Sequence, residues 1–275
     1  MTYHQTTRPA NSPENKAWID PGADHHMHTV FSDGRAPAEI MAQSAVKKGL
    51  GKIAITDHMP LPHPNRYAMA KDGISAYRST LQDLKKRFAG SLDIAMGLEF
   101  EFVPRLLEWI EPIAALGWDH TIASVHTLHK EDGIFMINGN RQEFDISLTN
   151  GFNGDIQAMC GAYYDCLVQA INTGWFDCVG HLDVLKKHNR DNLFFDENSN
   201  WYRTKVLEAL EALKSRKMAM EINLAGFNHP VGVQYPSQWV IREARMRSIP
   251  IILGSDAHNP ESVGQFFNRV ARLHY

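Results

Sequence analysis

No stretch of this 275-residue chain reaches the roughly 18 consecutive apolar residues that a membrane span needs. The first 22 residues are polar and proline-bearing, and they lack the apolar core of a secretory signal. The expectation is a soluble, unexported, cytoplasmic protein. Cysteine is scarce: Cys160, Cys166 and Cys178 are an odd number without C-x-x-C spacing, which excludes a disulfide framework and suits reduced, packed thiols. Neither sign of charge dominates. Lys and Arg number 28 against 31 Asp and Glu, and a net charge of -3 argues against a partner held by polymeric nucleic-acid phosphates. Internal repeats, low-complexity tracts and Gly/Pro/Ser-rich linkers are also missing. The chain reads as a polar leader over 1–22 and one α/β domain over 23–275, long enough to bury a sizeable core.

What is present is a rhythm. Seven short apolar runs alternate with amphipathic stretches, as in a parallel sheet or barrel: 23–27, 52–56, 92–100, 120–124, 176–180, 218–222 and 249–254. Helices are predicted over 36–48, 75–88, 105–116, 156–172, 202–216 and 236–248, the first two closing at Gly49 and Gly90. The stretch 130–154 lacks clear periodicity and reads as a long loop suited to covering a substrate.

Each run but one ends in residues of metal-ligand type. His26 and His28 stand at i and i+2, so in extended backbone both imidazoles point to one face and can grip one ion. Later runs end in Thr56-Asp57-His58, Gly97-Leu98-Glu99, Ser124-Val125-His126, Gly180-His181-Leu182-Asp183 and Ser255-Asp256-Ala257-His258. In parallel α/β barrels the carboxyl ends of the strands meet on one face, so these residues become neighbours in space. Six of 14 histidines occupy such positions, too many for one ion.

The ordered series DHHMHTVFSDG, AITDHMP, GLEFE, SVH, GHLD and GSDAH resembles the motifs of the PHP (polymerase and histidinol phosphatase) superfamily over residues 24 to 264. TDHMPLP, GHLDVLKK, EINLAGF, VGVQYPS and SDAHNPESVG resemble its histidinol-phosphate phosphatase branch. The resemblance implies a single-domain, TIM-like, distorted seven-stranded (β/α)7 barrel holding three divalent metal ions, with Zn, Mn and Fe equally compatible with the ligand types. It implies His26, His28, Glu99 and Asp256 around the first ion. Glu99 would bridge to a second ion held by His126 and His181, and Asp33, His58 and His258 would hold a third. Such cations neutralise a phosphate monoester dianion and acidify bound water, while Asp33, His58 or His258 could protonate the leaving group as catalytic residues. Lys186 stands where the branch tends to place a basic residue for phosphate. The basic residue expected after EIN-x-x-G-x is replaced by Asn228, followed by His229, and Val233-Gln234 replace the acidic residue often found before YPS. These departures bear on the substrate more than on the reaction.

Simpler readings stand beside these. Glu101 is read as structural. Asp24, Asp57 and Asp183 either orient a ligand histidine or cap a turn. His25 should face away from His26, and His63, His120, His129 and His188 read as packed or solvated. Arg35 and Arg66 are loop candidates for phosphate contact, with His229 and Asn223 as candidate substrate contacts. The leading function is metal-dependent hydrolysis of a small phosphate monoester, L-histidinol phosphate first, in histidine biosynthesis. A PHP phosphoesterase acting on nucleotides or short oligonucleotides competes with it, but no helical insertion follows TDH. A non-catalytic metal-binding module is the reading from another class, and intact coordinating chemistry at all nine positions speaks against it. The sequence leaves oligomeric state open.

Overall fold

The computed structural model describes residues 19–63, 65–131 and 133–270. Of the polar leader, residues 1–18 lie outside the described residues, as do 271–275 of the domain. Nine strands and eight α-helices are found among the described residues. The strands are β1 (Ala23–Asp24), β2 (Lys52–Ile55), β3 (Asp93–Glu101), β4 (His120–Ser124), β5 (Thr127–Lys130), β6 (Gly133–Met136), β7 (Cys178–Val179), β8 (Ala219–Asn223) and β9 (Ile251–Gly254). The helices are α1 (Ala38–Lys47), α2 (Ile74–Arg87), α3 (Leu107–Ala114), α4 (Arg141–Ile146), α5 (Ile156–Thr173), α6 (Asn200–Arg216), α7 (Gln238–Met246) and α8 (Phe267–Val270).

Seven strands form one sheet in the order β1-β2-β3-β4-β7-β8-β9, with every pairing parallel. The sheet curls until its edges meet. Past the short β1, the His25 amide donates to the Leu253 carbonyl, Asp256 to His26 and His28 to Ala257, each at 2.9 Å, so the chain beyond β1 and β9 completes a (β/α)7 barrel. The expected distorted seven-stranded barrel is the fold found.

The strands read as near-continuous apolar runs because both faces are covered. Outside, helices bury their small or aromatic stripes: α1 turns in Ala38, Met41, Ala42 and Ala45, and α5 turns in Met159, Tyr163, Cys166, Leu167 and Ala170. These spacings of three and four residues put each set on one helix face. Asp155 starts α5 by accepting from the Ala158 amide, and Gly174 ends it in the left-handed conformation at φ 72°. Tyr77 of α2 is fully buried, its hydroxyl 2.9 Å from the carbonyls of both Ile55 and Gly97, so it pins α2 across β2 and β3. All three cysteines are free and buried. No helix among the described residues is long and apolar enough to cross a membrane.

The stretch 130–154 is more ordered than its sequence suggests. β5 and β6 form an antiparallel hairpin, and α4 starts at a capping box in which the Asn140 side chain accepts from the Glu143 amide and the Glu143 carboxylate accepts from the Asn140 amide. Short strands and a six-residue helix are too brief to give a readable period. Elsewhere the predicted helices match within a few residues, except that 105–116 begins as a 3-10 turn over Pro104–Leu106.

Candidate metal centre

The carboxyl ends of the barrel strands converge on one cluster. The backbone running on from β1 keeps His26 and His28 on one face, with their Nε2 atoms 3.1 Å apart. The residues after β2 bring His58 into a parallel bridge with Glu99 of β3 and set its Nδ1 2.8 Å from Glu99 Oε2. His126 follows β4 and His181 follows β7. Their Nε2 atoms lie 3.2 Å apart, and His181 Nε2 is 3.0 Å from Glu99 Oε1. Past β9, Asp256 Oδ1 lies 3.3 Å from His28 Nε2, and His258 Nε2 lies 3.2 Å from Asp33 Oδ1. All nine residues read from the motifs are therefore brought together.

Eight of the nine assemble into three sets whose ligand atoms lie within 4.8 Å of one another: His28, Asp33, His58 and His258; His26, His28 and Asp256; His58, Glu99 and His126. His28 also falls in the set around Asp33, and His58 in the set around Glu99. His181 adjoins the latter, its Nε2 3.0 Å from Glu99 Oε1 and 3.2 Å from His126 Nε2, while Glu99 Oε2 lies 3.5 and 3.6 Å from the Nε2 atoms of His26 and His28.

The donors suit divalent cations. Glu221 takes the Nδ1 side of His26 at 2.7 Å and Glu101 that of His126 at 2.6 Å, so each ring turns an Nε2 lone pair toward a neighbouring imidazole nitrogen. Lone pairs so close repel unless a proton or a cation lies between them. His28 Nδ1, Asp33 Oδ1 and Glu99 Oε2 are buried with no well-aligned hydrogen bond and only the ring nitrogens or carboxylates of other candidate ligands near them, a costly state that a cation relieves. Imidazole and carboxylate donors together match Zn, Mn or Fe.

Charge pairing follows the same geometry. Burial opposes ionisation of Glu99 and Asp256, yet the surrounding imidazoles hold both carboxyls well below the usual range. Burial likewise opposes charging of His126, but Glu99 and Glu101 raise it well above an ordinary histidine. His258 is driven up to about 9, Asp33 and Asp256 outweighing its burial. His28, buried beside His258 and His58, falls to about 3. Two of the nine have unusual backbone: His181 and Asp256 sit at φ 23° and 52°, a region costly for residues other than glycine.

Above the cluster opens a cleft of about 290 Å³, lined by Asp33, His58, Glu99, His126, Asp256 and His258 together with Arg66, Tyr67, Asn138, Lys187 and His229. That volume suits a small molecule. Arg66 pairs with Glu143, and Lys187 donates to the Asn138 carbonyl at 2.8 Å. Burial, with Lys187 nearby, lowers His229 to about 4 and keeps it neutral; its Nδ1 lies 3.0 Å from the Tyr235 hydroxyl.

Two expected phosphate contacts are not in the cleft. Lys186 is fully buried, paired with Asp183 at 2.9 Å and bonded to the Ser237 hydroxyl, because in the 3-10 turn Val184–His188 consecutive side chains diverge by about 120°. Lys187 takes the cleft position instead. Arg35 is exposed and does not line the cleft. Asn228 bonds Gln265 at 2.8 Å and is likewise absent from the lining.

Asp57 receives the backbone and hydroxyl groups of Thr29 and Ser32, and Asp24 receives the amides of Ser255 and Gly264. Both tie down turns that carry candidate ligands, so the turn-capping alternative describes them. Glu101 holds His126 and is more than structural filler. Sequence reasoning missed Glu221 and gave Asn223 only as a substrate contact, whereas Asn223 does not line the cleft. Their i, i+2 spacing in EIN matches that of His26 and His28 and was the available signal.

The PHP domain family model matches residues 24–225, and a PHP-associated model matches residues 238–273. A Deinococcus radiodurans protein named "Probable histidinol-phosphatase" is 33% identical over 247 residues, covering 88% of each chain. Listeria monocytogenes HisK superposes with a TM-score of 0.80 at 21% identity, covering 90% of this chain and 99% of that one. The histidinol phosphate phosphatase of Lactococcus lactis, solved with zinc, L-histidinol and phosphate, gives a TM-score of 0.65 at 21% identity and covers 92% and 94%.

Proposed function

Since the chain belongs to the PHP domain family, we propose that it is a metal-dependent phosphomonoesterase that hydrolyses L-histidinol phosphate to L-histidinol and phosphate, a step of histidine biosynthesis. The observation that carries this reading is the gathering of nine histidine and carboxylate side chains under a small cleft, in a chain 33% identical to a relative named for that activity. The zinc, L-histidinol and phosphate bound by the Lactococcus lactis protein of the same fold support the same substrate and cofactor class.

His26, His28, Asp33, His58, Glu99, His126, His181, Asp256 and His258 would hold the divalent ions. When bound, such ions neutralise the phosphate oxygens and make water nucleophilic near neutral pH. The side chains supply the rest. Lys187 and Arg66 bring positive charge to the open side of the cleft, where a phosphate dianion is favoured by charge-assisted hydrogen bonds. His258 holds a proton at Nε2, 3.2 Å from Asp33, in reach of the cleft, when that nitrogen is not coordinated; the leaving alkoxide needs such a proton. His229, as a neutral imidazole at the rim, offers a hydrogen bond to the alcohol portion of the substrate. We place the enzyme in the cytoplasm, a reading supported by three cysteines that all remain free.

The test is phosphate release by the purified protein, loaded with zinc or manganese, from L-histidinol phosphate beside sugar, amino-alcohol and nucleotide phosphates. A strong preference for L-histidinol phosphate is expected. Preferential turnover of nucleotides would transfer the chain to the nucleotide branch, and no turnover of any ester with metal bound would leave a binding module.

A further inference from the structure

Among the described residues, β8 is the one strand of the barrel that supplies no candidate ligand. Its end is nevertheless as buried as the centre itself: Glu221 and Asn223 are both 0% exposed and, two residues apart, face the same way. Glu221 Oε1 lies 2.7 Å from His26 Nδ1. Its Oε2 accepts from the His181 amide at 2.8 Å and from Asn223 Nδ2 at 3.2 Å. Asn223 Nδ2 also donates to Asp256 Oδ2 at 3.1 Å. The Asn223 oxygen accepts from the Ala225 amide at 3.0 Å, which fixes the orientation of its side-chain amide.

One pair of side chains thus grips residues from three other strand ends, after β1, β7 and β9. Two of the three, His181 and Asp256, are the ligand candidates with positive φ. That backbone persists only where its surroundings hold it. The fold also keeps space for the grip. A Cβ at Gly254 would fall 1.7 Å from Glu221 Oε1 and 2.8 Å from the His26 Cβ, so the glycine of GSDAH is needed for the carboxylate to reach the imidazole.

We propose that Glu221 and Asn223 are positioning residues of the metal centre: Glu221 keeps the His26 proton on Nδ1, and together with Asn223 it fixes the His181 backbone and the Asp256 carboxylate. The inference rests on reading the cluster as a divalent-metal centre, and it requires no particular substrate. Both carboxylate oxygens of Glu221 accept hydrogen bonds, and glutamine has a single acceptor oxygen. In Glu221→Gln, an oxygen kept on the His181 and Asn223 donors puts the amide NH2 against His26 Nδ1. That nitrogen must then accept, and the proton moves to Nε2, where it occupies the lone pair meant for a cation.

The experiment compares wild type, Glu221→Gln and Asn223→Ala by zinc affinity in chelator competition, by the visible absorption of the cobalt-loaded proteins, and by melting of the chelated proteins. The expected result for Glu221→Gln is zinc affinity lower by about 10- to 100-fold, the usual size for loss of such a partner. The cobalt spectrum should change, and the chelated protein should melt within a few degrees of wild type. Unchanged affinity and spectrum, or a chelated protein that loses its melting transition in step with its metal, would overturn the proposal. Should Glu221→Gln fail to fold, Asn223→Ala decides. It leaves the Glu221–His26 contact in place and should weaken zinc by about tenfold at unchanged chelated melting, and unaltered affinity there refutes the role. A wild-type chain that binds no cobalt would sink the metal reading itself. Failure to hydrolyse L-histidinol phosphate leaves these readouts untouched.

Discussion

Lys186 and Lys187 are neighbours in sequence, but the structure gives them different tasks, and alanine substitutions should separate the two. Lys186 is fully buried against Asp183 at 2.9 Å and the Ser237 hydroxyl, while the Ser237 amide holds the same Asp183 oxygen at 2.8 Å. Lys186→Ala leaves the Asp183 carboxylate without its cation in a dry site, a loss of about 3–5 kcal/mol. For a domain of this size, at about 2–4 °C per kcal/mol, the melting temperature falls by about 6–20 °C. Burial already raises the Asp183 carboxyl, and removing Lys186 raises it further. A folded-state value above the unfolded one is destabilising above the unfolded pKa, so the deficit should be larger at pH 8 than at pH 5. Lys187→Ala should do the opposite. Its ammonium faces the cleft, so stability changes little, whereas loss of a charged hydrogen bond to phosphate, about 1.5–3 kcal/mol, lowers kcat/KM by about 10- to 150-fold. Thermal melts and phosphate release on both variants check the pair. A stable, catalytically impaired Lys186→Ala beside a normal Lys187→Ala would refute the assignment.

Glu99→Ala removes the carboxylate that lies within 3.6 Å of five cluster histidines, so the variant should bind fewer ions per chain by elemental analysis and lose turnover; near-normal activity would dissolve the cluster assignment. His258 gives a pH prediction with two signs. Its folded value of about 9 lies above the ordinary 6.5, so in the chelated protein its protonated form stabilises fully below 6.5 and that contribution is lost as pH rises toward 9. A cation competes for the same nitrogen, so zinc affinity should rise across the same window. Melting and zinc titration at pH 6.5, 7.5 and 9 test this, and two flat profiles would show that His258 is not protonated in the metal-free centre.

The strand ends were legible because two local rules coincide: apolar runs of four to nine residues mark buried parallel strands, and ligand residues placed just past them must share one face of a barrel. His26-x-His28 is the clearest case, since alternation alone puts both rings on one side. The hairpin Thr127–Met136 and the helix Arg141–Ile146 were illegible for the converse reason, being too short for any period to build up. The lysine pair was beyond local reasoning as well. In the turn after β7, a single residue separates the groove filled by Lys186 from the cleft faced by Lys187, and the packing of Asp183 and Ser237 sets that register.

The sequence by itself determined the alternation of strands and helices and the ligand-type residues at the strand ends, because these follow from periodicity and side-chain chemistry, and its resemblance to the PHP family implied the seven-stranded barrel and the full set of nine residues. The tertiary structure alone decided which carboxylate stands behind which imidazole, that Glu221 and Asn223 of a strand without candidate ligands hold three candidates that belong to others, and which lysine faces the cleft. Those outcomes depend on contacts of 2.7 to 3.2 Å between groups up to 195 residues apart, and no local pattern in the chain encodes such contacts.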